Sequence, residues 1–312
     1  MATELIVVVG PTASGKTALG TALAERVGGE VVSADAFAVY RGLDIGTAKP
    51  DLGLRSLVRH HLVDVADPRE RYSAGMFVRD ADAAIADIRG RGRVAVVVGG
   101  THFYVRALLY GLFPEPPRDP RLRQQLELDW KADSCAVRAR LETIDPESAA
   151  RIPPADRQRT LRALEVGLLA GRPMTALWRE HPRQGPRQAF RMLGLNPQKA
   201  DLHARIALRV ERMFAAGLVR EVQGLLAAGV PPQAHALKAI GYRESCGVLE
   251  GTLTLAQAVE KATAETRKLA KRQMTWLRRE TDVEWLPGDG DHRLAQAISS
   301  VEARRGTGTG TA

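Results

Sequence analysis

The sequence predicts an α/β protein, a parallel sheet core into which an all-helical domain is inserted. Three observations carry that expectation. Over residues 1–115, short β-branched runs alternate with Ala- and Leu-rich stretches, the pattern of parallel strands covered by helices. Pro114, Pro116, Pro117 and Pro120 end the alternation, and helical periodicity without a central strand continues to about Lys199. Helices and strands of the core then resume. The expected division is a discontinuous core over 1–115 and 200–302, a helical insertion over 116–199, and a disordered tail over 303–312.

The elements follow in order. Leu5–Val9 is a continuous apolar, mostly β-branched run and reads as a buried strand. Thr17–Arg26 reads as its following helix. Val31–Ser33 is a second strand, Ala74–Arg89 a helix, and Val94–Val98 a third strand. In the insertion, Pro153-Pro154 and Gly171-Arg172-Pro173 punctuate short helices. Phe190–Leu195, stopped by Asn196-Pro197, reads as a strand returning to the sheet. Helices over Leu202–Ala228 and Leu255 to about Arg279 lead to a last edge strand, Val283–Leu286. The closing Gly-Thr repeats are low-complexity sequence.

Composition bounds the function. With 312 residues, 45% hydrophobic and 26% charged, the chain has ample material for a globular core. No apolar run approaches a membrane span, and the first strand begins too early for a signal peptide, so a cytoplasmic, membrane-free protein is expected. Cys135 and Cys246 are its two cysteines, read as reduced thiols, and no zinc-type spacing occurs. The formal charge of +9 points to a polyanionic partner, although an Arg-rich composition alone gives the same sign. Its distribution adds information: residues 116–199 hold 16 Arg and Lys against 10 Asp and Glu.

The chemistry begins at Gly10-Pro11-Thr12-Ala13-Ser14-Gly15-Lys16-Thr17, directly behind the first strand. This matches G-x-x-x-x-G-K-[ST], a phosphate-binding loop in the right strand–loop–helix context. The fold class is therefore that of a P-loop NTPase-like core. Backbone N–H groups and the helix N-terminus cradle an anion, Lys16 adds a point charge, and Thr17 offers its hydroxyl to Mg²⁺. Ligands of such sheets sit beyond the strand C-termini, which singles out this loop, Asp35 and Gly99-Gly100-Thr101. An NTPase needs an acid at the end of a neighbouring apolar strand to help hold Mg²⁺. Val94–Val98 ends in Gly99-Gly100-Thr101 instead, which weakens the plain NTPase reading. The available carboxylate is Asp35, suited to binding a metal or to taking a proton from a nucleophile.

With these residues in place the chain resembles the tRNA dimethylallyltransferases. The resemblance rests on Gly10–Thr17, Ser33-Ala34-Asp35, the run from Tyr40 to Pro50, His60-His61-Leu62-Val63-Asp64 through Tyr72-Ser73, and Gly99-Gly100-Thr101. It extends through Arg162-Ala163-Leu164-Glu165-Val166, Ala239-Ile240-Gly241-Tyr242-Arg243-Glu244 and Ala270-Lys271-Arg272-Gln273-Met274-Thr275-Trp276-Leu277-Arg278, covering about Ile6 to Leu286. The Tyr40–Pro50 run and the Lys-Arg-Gln-x-Thr-Trp segment are its most specific parts.

The resemblance implies transfer of a dimethylallyl group from its diphosphate to N6 of the adenosine immediately 3′ of a tRNA anticodon. It implies that Gly10–Thr17 hold the prenyl diphosphate, that Asp35 is the general base, and that Thr101 lies near the reacting centre. It assigns Ala36, Phe37, Ala38 and Thr101 with Asp35, and Arg123 with Gln158, Arg159, Thr160, Leu161 and Arg162, to tRNA. Arg205 and Arg209, four apart on one helix face, are candidates for the diphosphate. Mg²⁺ is the expected cofactor, the anticodon stem-loop and dimethylallyl diphosphate the partners, and a monomer the expected state.

Departures from the family pattern are also visible. Where the family commonly reads Asp-Ser-x-Gln-x-Tyr, this chain has Asp35-Ala36-Phe37-Ala38-Val39-Tyr40, so positions 36 and 38 lose their side-chain hydrogen bonds. Phe37 is left with stacking or packing. His102 stands where the family often has Gly. His60-His61 reads as structural, because neighbours on a strand face opposite ways, and Arg89-Gly90-Arg91-Gly92-Arg93 as a solvated turn. The basic helix Thr266–Arg279 fits both a solvated face and RNA phosphate contact. The competing functions are a P-loop small-molecule kinase using ATP and a nucleotide-switched nucleic-acid binder. A close variant would prenylate free adenine nucleotides.

Overall fold

The computed structural model describes residues 4–113, 116, 119–180, 185–288 and 290–307. The chain forms two compact units, Met1–Gly111 with Pro186–Ala312, and Leu112–Gly185.

The first unit contains β1 (Leu5–Val9), α1 (Lys16–Arg26), β2 (Gly29–Ser33), α2 (Leu52–Leu57), β3 (His60–His61), α3 (Ala74–Gly90), β4 (Val94–Gly99) and α4 (His102–Tyr110). The helical unit follows with α5 (Pro120–Ala132), α6 (Ser134–Ile144), α7 (Pro146–Arg151), α8 (Arg157–Ala170) and α9 (Met174–Glu180). The first unit resumes with β5 (Phe190–Leu195), α10 (Lys199–Ala215), α11 (Leu218–Ala227), α12 (Tyr242–Leu249), α13 (Leu255–Leu277), β6 (Val283–Leu286) and α14 (Gly290–Thr307).

Among the described residues six strands form one sheet in the order β3-β2-β4-β1-β5-β6, every pairing parallel. Burial on both faces explains the unbroken apolar runs. Leu5, Val7 and Val9 enter one core cluster while Ile6 and Val8 enter the other, as period-2 alternation requires. Each such side chain contributes roughly 1.5–3 kcal/mol on burial. Gly99 marks a close approach: a Cβ there would lie 2.2 Å from Ala34 O. A side chain at that position would push β4 off β2, because the obstacle is backbone.

The structure corrects the sequence reading in three places. The helical unit ends at Gly185, so residues 186–199 belong with the sheet, where β5 pairs with β1 from Leu5↔Phe190 to Val9↔Gly194. β3 adds a sixth strand to the five expected of the sheet: His60-His61, read above with strand geometry but not as part of the sheet, pairs with Val31 and Val32. The tail expected to be disordered from 303 continues α14 to Thr307, because Ala297 and Val301 anchor that helix in the core. Residues 308–312 lie outside the described residues.

In the helical unit, Leu126, Val137, Leu141, Leu161, Leu164 and Val166 form a separate core. Its helices α5–α8 start at acidic caps: the side chains of Asp119, Asp133, Asp145 and Asp156 each accept from backbone N–H of the first turn.

Candidate active site

The loop Gly10–Thr17 leaves the C-terminal end of β1 and feeds α1. Ser14 N–H donates to Pro11 O at 3.2 Å, closing its turn. Gly15 caps α1 at φ 90°, a left-handed conformation that favours glycine. Ala13 is left-handed as well, at φ 61°, a cost its surroundings must sustain. The loop borders a cavity of about 430 Å³ at the strand C-termini. Thr12, Lys16 and Thr17 line it, as do Asp35, Ala36, Phe37 and Ala38 from the end of β2 and Thr101 from the end of β4. Arg209 reaches the same space from α10. Arg205, one turn earlier, is exposed and does not line the cavity.

Charge in the cavity is mixed. Burial lowers the Lys16 ammonium to about 8, with the Asp35 carboxylate opposing and Arg209 assisting the shift. Burial also lowers the Arg209 guanidinium, again opposed by Asp35, and it donates to Thr47 O at 3.4 Å. Two cations beside one carboxylate suit a multiply charged anion together with a proton acceptor.

Asp35 is fixed by its backbone. Its Oδ1 accepts the amides of Phe37 (2.9 Å) and Ala38 (3.1 Å). Thr101 Oγ1 accepts the Ala36 amide at 3.0 Å, and Thr101 N–H donates to Ala34 O at 3.2 Å. The amides of residues 36–38 are thus spent on holding the turn. Phe37 stacks on His235 with ring centroids 5.8 Å apart, so its ring is packed against protein on one side.

The Tyr40–Pro50 run forms a cavity wall. Lys49 is buried and donates to Tyr40 O (2.6 Å), Asp44 Oδ1 (2.7 Å) and Asp64 Oδ1 (2.5 Å). Glu221 Oε2 accepts the Asp44 and Ile45 amides, and Tyr242 O–H accepts that of Gly46. These bonds explain why so specific a run contributes few groups to the cavity: most of it serves to hold the wall.

Among the cavity-lining residues that were not predicted as site residues are His102, Arg272, Gln273 and Trp276. Gln273 bonds both the phosphate loop and the end of β4. His102 Nε2 pairs with Glu280 at 3.0 Å, and its Nδ1 is buried without a hydrogen-bond partner among the described residues. Burial lowers the His102 imidazole, with Glu280 opposing. The motif around Gln273 was visible in sequence, but nothing in it pointed to a loop 261 positions away.

In the helical unit the predicted RNA residues separate into two kinds. Gln158 and Arg159 are exposed at the start of α8. Thr160 and Leu161 are fully buried in that unit's core, which corrects their assignment to RNA. A helix turning 100° per residue cannot present five consecutive side chains to one partner. Arg162 and Arg123 approach buried Glu165 at 2.9 and 3.8 Å, so both serve the fold as well.

A Mg²⁺ ion fits this donor set only together with its anion. Among the described residues no cluster of three or more His, Cys, Asp or Glu could hold a metal. Thr17 and Asp35 both line the cavity, and Mg²⁺ is typically bound by one or two such groups plus substrate phosphates and water.

A phosphate loop, a carboxylate one strand away and no acid on the strand between them define a P-loop-type group transferase. Comparison with known proteins gives the family. The IPP transferase family model matches residues 38–280, and the isopentenyl transferase model matches residues 3–66. The chain is 48% identical to tRNA dimethylallyltransferase 1 of Citrifermentans bemidjiense over 92% of this chain and 93% of that protein. It is 47% identical to tRNA dimethylallyltransferase of Halorhodospira halophila over 98% and 99%. The crystal structure of tRNA isopentenylpyrophosphate transferase from Bacillus halodurans superposes with a TM-score of 0.74 at 34% identity, covering 98% of both chains. A eukaryotic dimethylallyltransferase, solved acting on tRNA, gives 0.77 at 26% identity, over 98% of this chain and 78% of that one. The chain belongs to the IPP transferase family, the tRNA dimethylallyltransferases.

Proposed function

We propose that this enzyme transfers the dimethylallyl group of dimethylallyl diphosphate to N6 of the adenosine immediately 3′ of the anticodon in tRNA, releasing diphosphate. The observation that carries the reading is the facing of Lys16 and Arg209 with Asp35 in one cavity, within a chain of this family. The kinase alternative has no comparable support: the relatives named above are prenyltransferases.

In the proposed reaction the N6 amine attacks C1 of the prenyl group, the C1–O bond breaks, and diphosphate leaves with the bonding electrons. Lys16, Arg209 and the loop amides stabilise the charge that develops on the leaving group. Mg²⁺, held by Thr17 and the diphosphate, would supply further neutralisation of that charge. Asp35 Oδ1 is occupied by two amides, which aims the carboxylate and leaves Oδ2 to take the N6 proton. Thr101 holds the Asp35 turn through Ala36 and so acts on the geometry of attack.

The acceptor base must stand outside a stack before its amine can react, and an anticodon loop offers it unpaired. Arg159 of the helical unit, beside the neutral amide of Gln158, and the exposed Arg267, Lys268, Lys271, Arg272, Arg278 and Arg279 around α13 supply basic surface for RNA. Among the described residues no helix is long and apolar enough to cross a membrane. Cytoplasmic residence and a monomeric state complete the proposal. Incubation with dimethylallyl diphosphate, Mg²⁺ and unmodified tRNA, followed by nucleoside mass spectrometry, tests it. Prenylated adenosine is expected; ATP turnover without prenyl transfer would refute it.

A further inference from the structure

Gln273 lies on α13, yet its amide is spent away from that helix. Its Oε1 accepts the backbone N–H of Thr12, in the phosphate loop, at 2.8 Å. Its Nε2 donates to the carbonyl of Gly100, at the end of β4, also at 2.8 Å. The orientation of this amide is not arbitrary: a backbone N–H can only donate and a backbone carbonyl can only accept. One side chain therefore fixes loop and strand end against each other.

The loop needs such a hold. Ala13, the residue after Thr12, is left-handed at φ 61°, a conformation that L-residues other than Asn and Asp seldom adopt. A bond to the preceding amide restrains the segment in that shape before any anion arrives. On the helix side, Gln273 is followed by buried Met274 and preceded by exposed Arg272, while Arg272 and Trp276 line the same cavity. The helix that carries exposed cations thus also carries the residue that restrains the donor loop.

We propose that Gln273 is a positioning residue coupling the two substrates: RNA seated on α13 steadies Gln273, which steadies Thr12 and tightens the loop on diphosphate. The proposal rests on the reading of α13 as part of the RNA surface. Thermodynamic reciprocity then requires diphosphate to tighten RNA binding by the same factor. The physical source is ordering: a loop already held loses less freedom when its anion binds.

The test is calorimetric titration of inorganic pyrophosphate with Mg²⁺, with and without a saturating anticodon stem-loop RNA. In the wild-type protein RNA is expected to tighten pyrophosphate about 5–10-fold, the low end of typical couplings. Gln273→Met keeps the length and volume of the side chain but removes both hydrogen bonds. It is expected to bind RNA alone normally and to reduce the coupling to below about 1.5-fold, raising donor KM more than it lowers kcat. A purely structural role would lower thermal stability and leave the coupling intact. RNA binding without coupling in the wild-type protein, or coupling that survives Gln273→Met, overturns the proposal. Failure of the wild-type protein to bind RNA at all would overturn the acceptor reading, and this proposal with it.

Discussion

Thr101 Oγ1 accepts the Ala36 amide across 3.0 Å, tying the end of β4 to the turn that aims Asp35. The bond uses a hydroxyl, so Thr101→Ser is expected to retain most of the turnover. Thr101→Ala leaves the Ala36 amide without this partner and loosens the turn. A loss of roughly 10-fold in kcat, with donor affinity changed less, is expected from misplacement of the base. Steady-state kinetics on both variants checks this; equal activity of Thr101→Ala and wild type would remove Thr101 from the mechanism.

Asp35→Asn keeps the size of the side chain and the acceptor for the Phe37 and Ala38 amides, but cannot take a proton. Turnover is expected to fall on the order of 10²–10⁴-fold while RNA binding changes little. Single-turnover transfer to a stem-loop RNA, beside a binding titration, separates the two effects. Near-normal turnover would show that Asp35 only positions the amine.

Lys16 gives a pH signature. Its ammonium, held by burial near 8 rather than the usual 10.5, is largely neutral in the free enzyme at about pH 9. A bound diphosphate favours the charged form and raises that value. Donor binding should therefore take up a proton at about pH 9 and almost none well below pH 8, where Lys16 is already charged. Affinity falls as pH rises above 8. Calorimetry in buffers of different ionisation enthalpy measures the uptake, and Lys16→Met should abolish it.

The cations of the helical unit do not make equally clean tests. Arg123 approaches buried Glu165 at 3.8 Å, so Arg123→Ala perturbs the fold together with any RNA contact. Arg159 is exposed and its ion pair with Asp156 spans 3.4 Å at the surface. Arg159→Ala is expected to weaken tRNA binding several-fold, leave dimethylallyl diphosphate binding intact, and reduce the slope of log affinity against log salt by about 1. A salt-independent affinity in the wild-type protein would contradict the RNA surface assigned here.

At the other end of the sheet, Glu30 is buried on β2 between Arg91 and His61. Hydrogen bonding from Arg91, against burial and with help from His61, lowers its carboxyl to about 2. A carboxyl lowered on folding contributes stability that is complete above its ordinary value near 4.5 and is lost as pH falls toward 2. Glu30→Gln should cost about 1.5–3 kcal/mol at neutral pH, the range for hydrogen bonds to charged groups. The gap in melting temperature between variant and wild type should close as pH falls through that window.

Sequence alone determined the parts of this protein that depend on local signals. The run Leu5–Val9 and the loop after it specify strand, anion cradle and helix, because β-branched residues, glycines and Lys-Thr act within a few residues of one another. Asp35 and Thr101 were legible because parallel sheets gather strand ends at one edge. The tertiary structure decided the rest. It brought Gln273 to Thr12, placed Arg209 in the cavity and Arg205 outside it, and turned Thr160 and Leu161 into a core. It also assigned residues 186–199 to the sheet unit through β5. Each of these depends on where a helix or strand docks and how it is rotated. Packing of distant side chains fixes that choice, and it leaves no periodicity at the residue concerned.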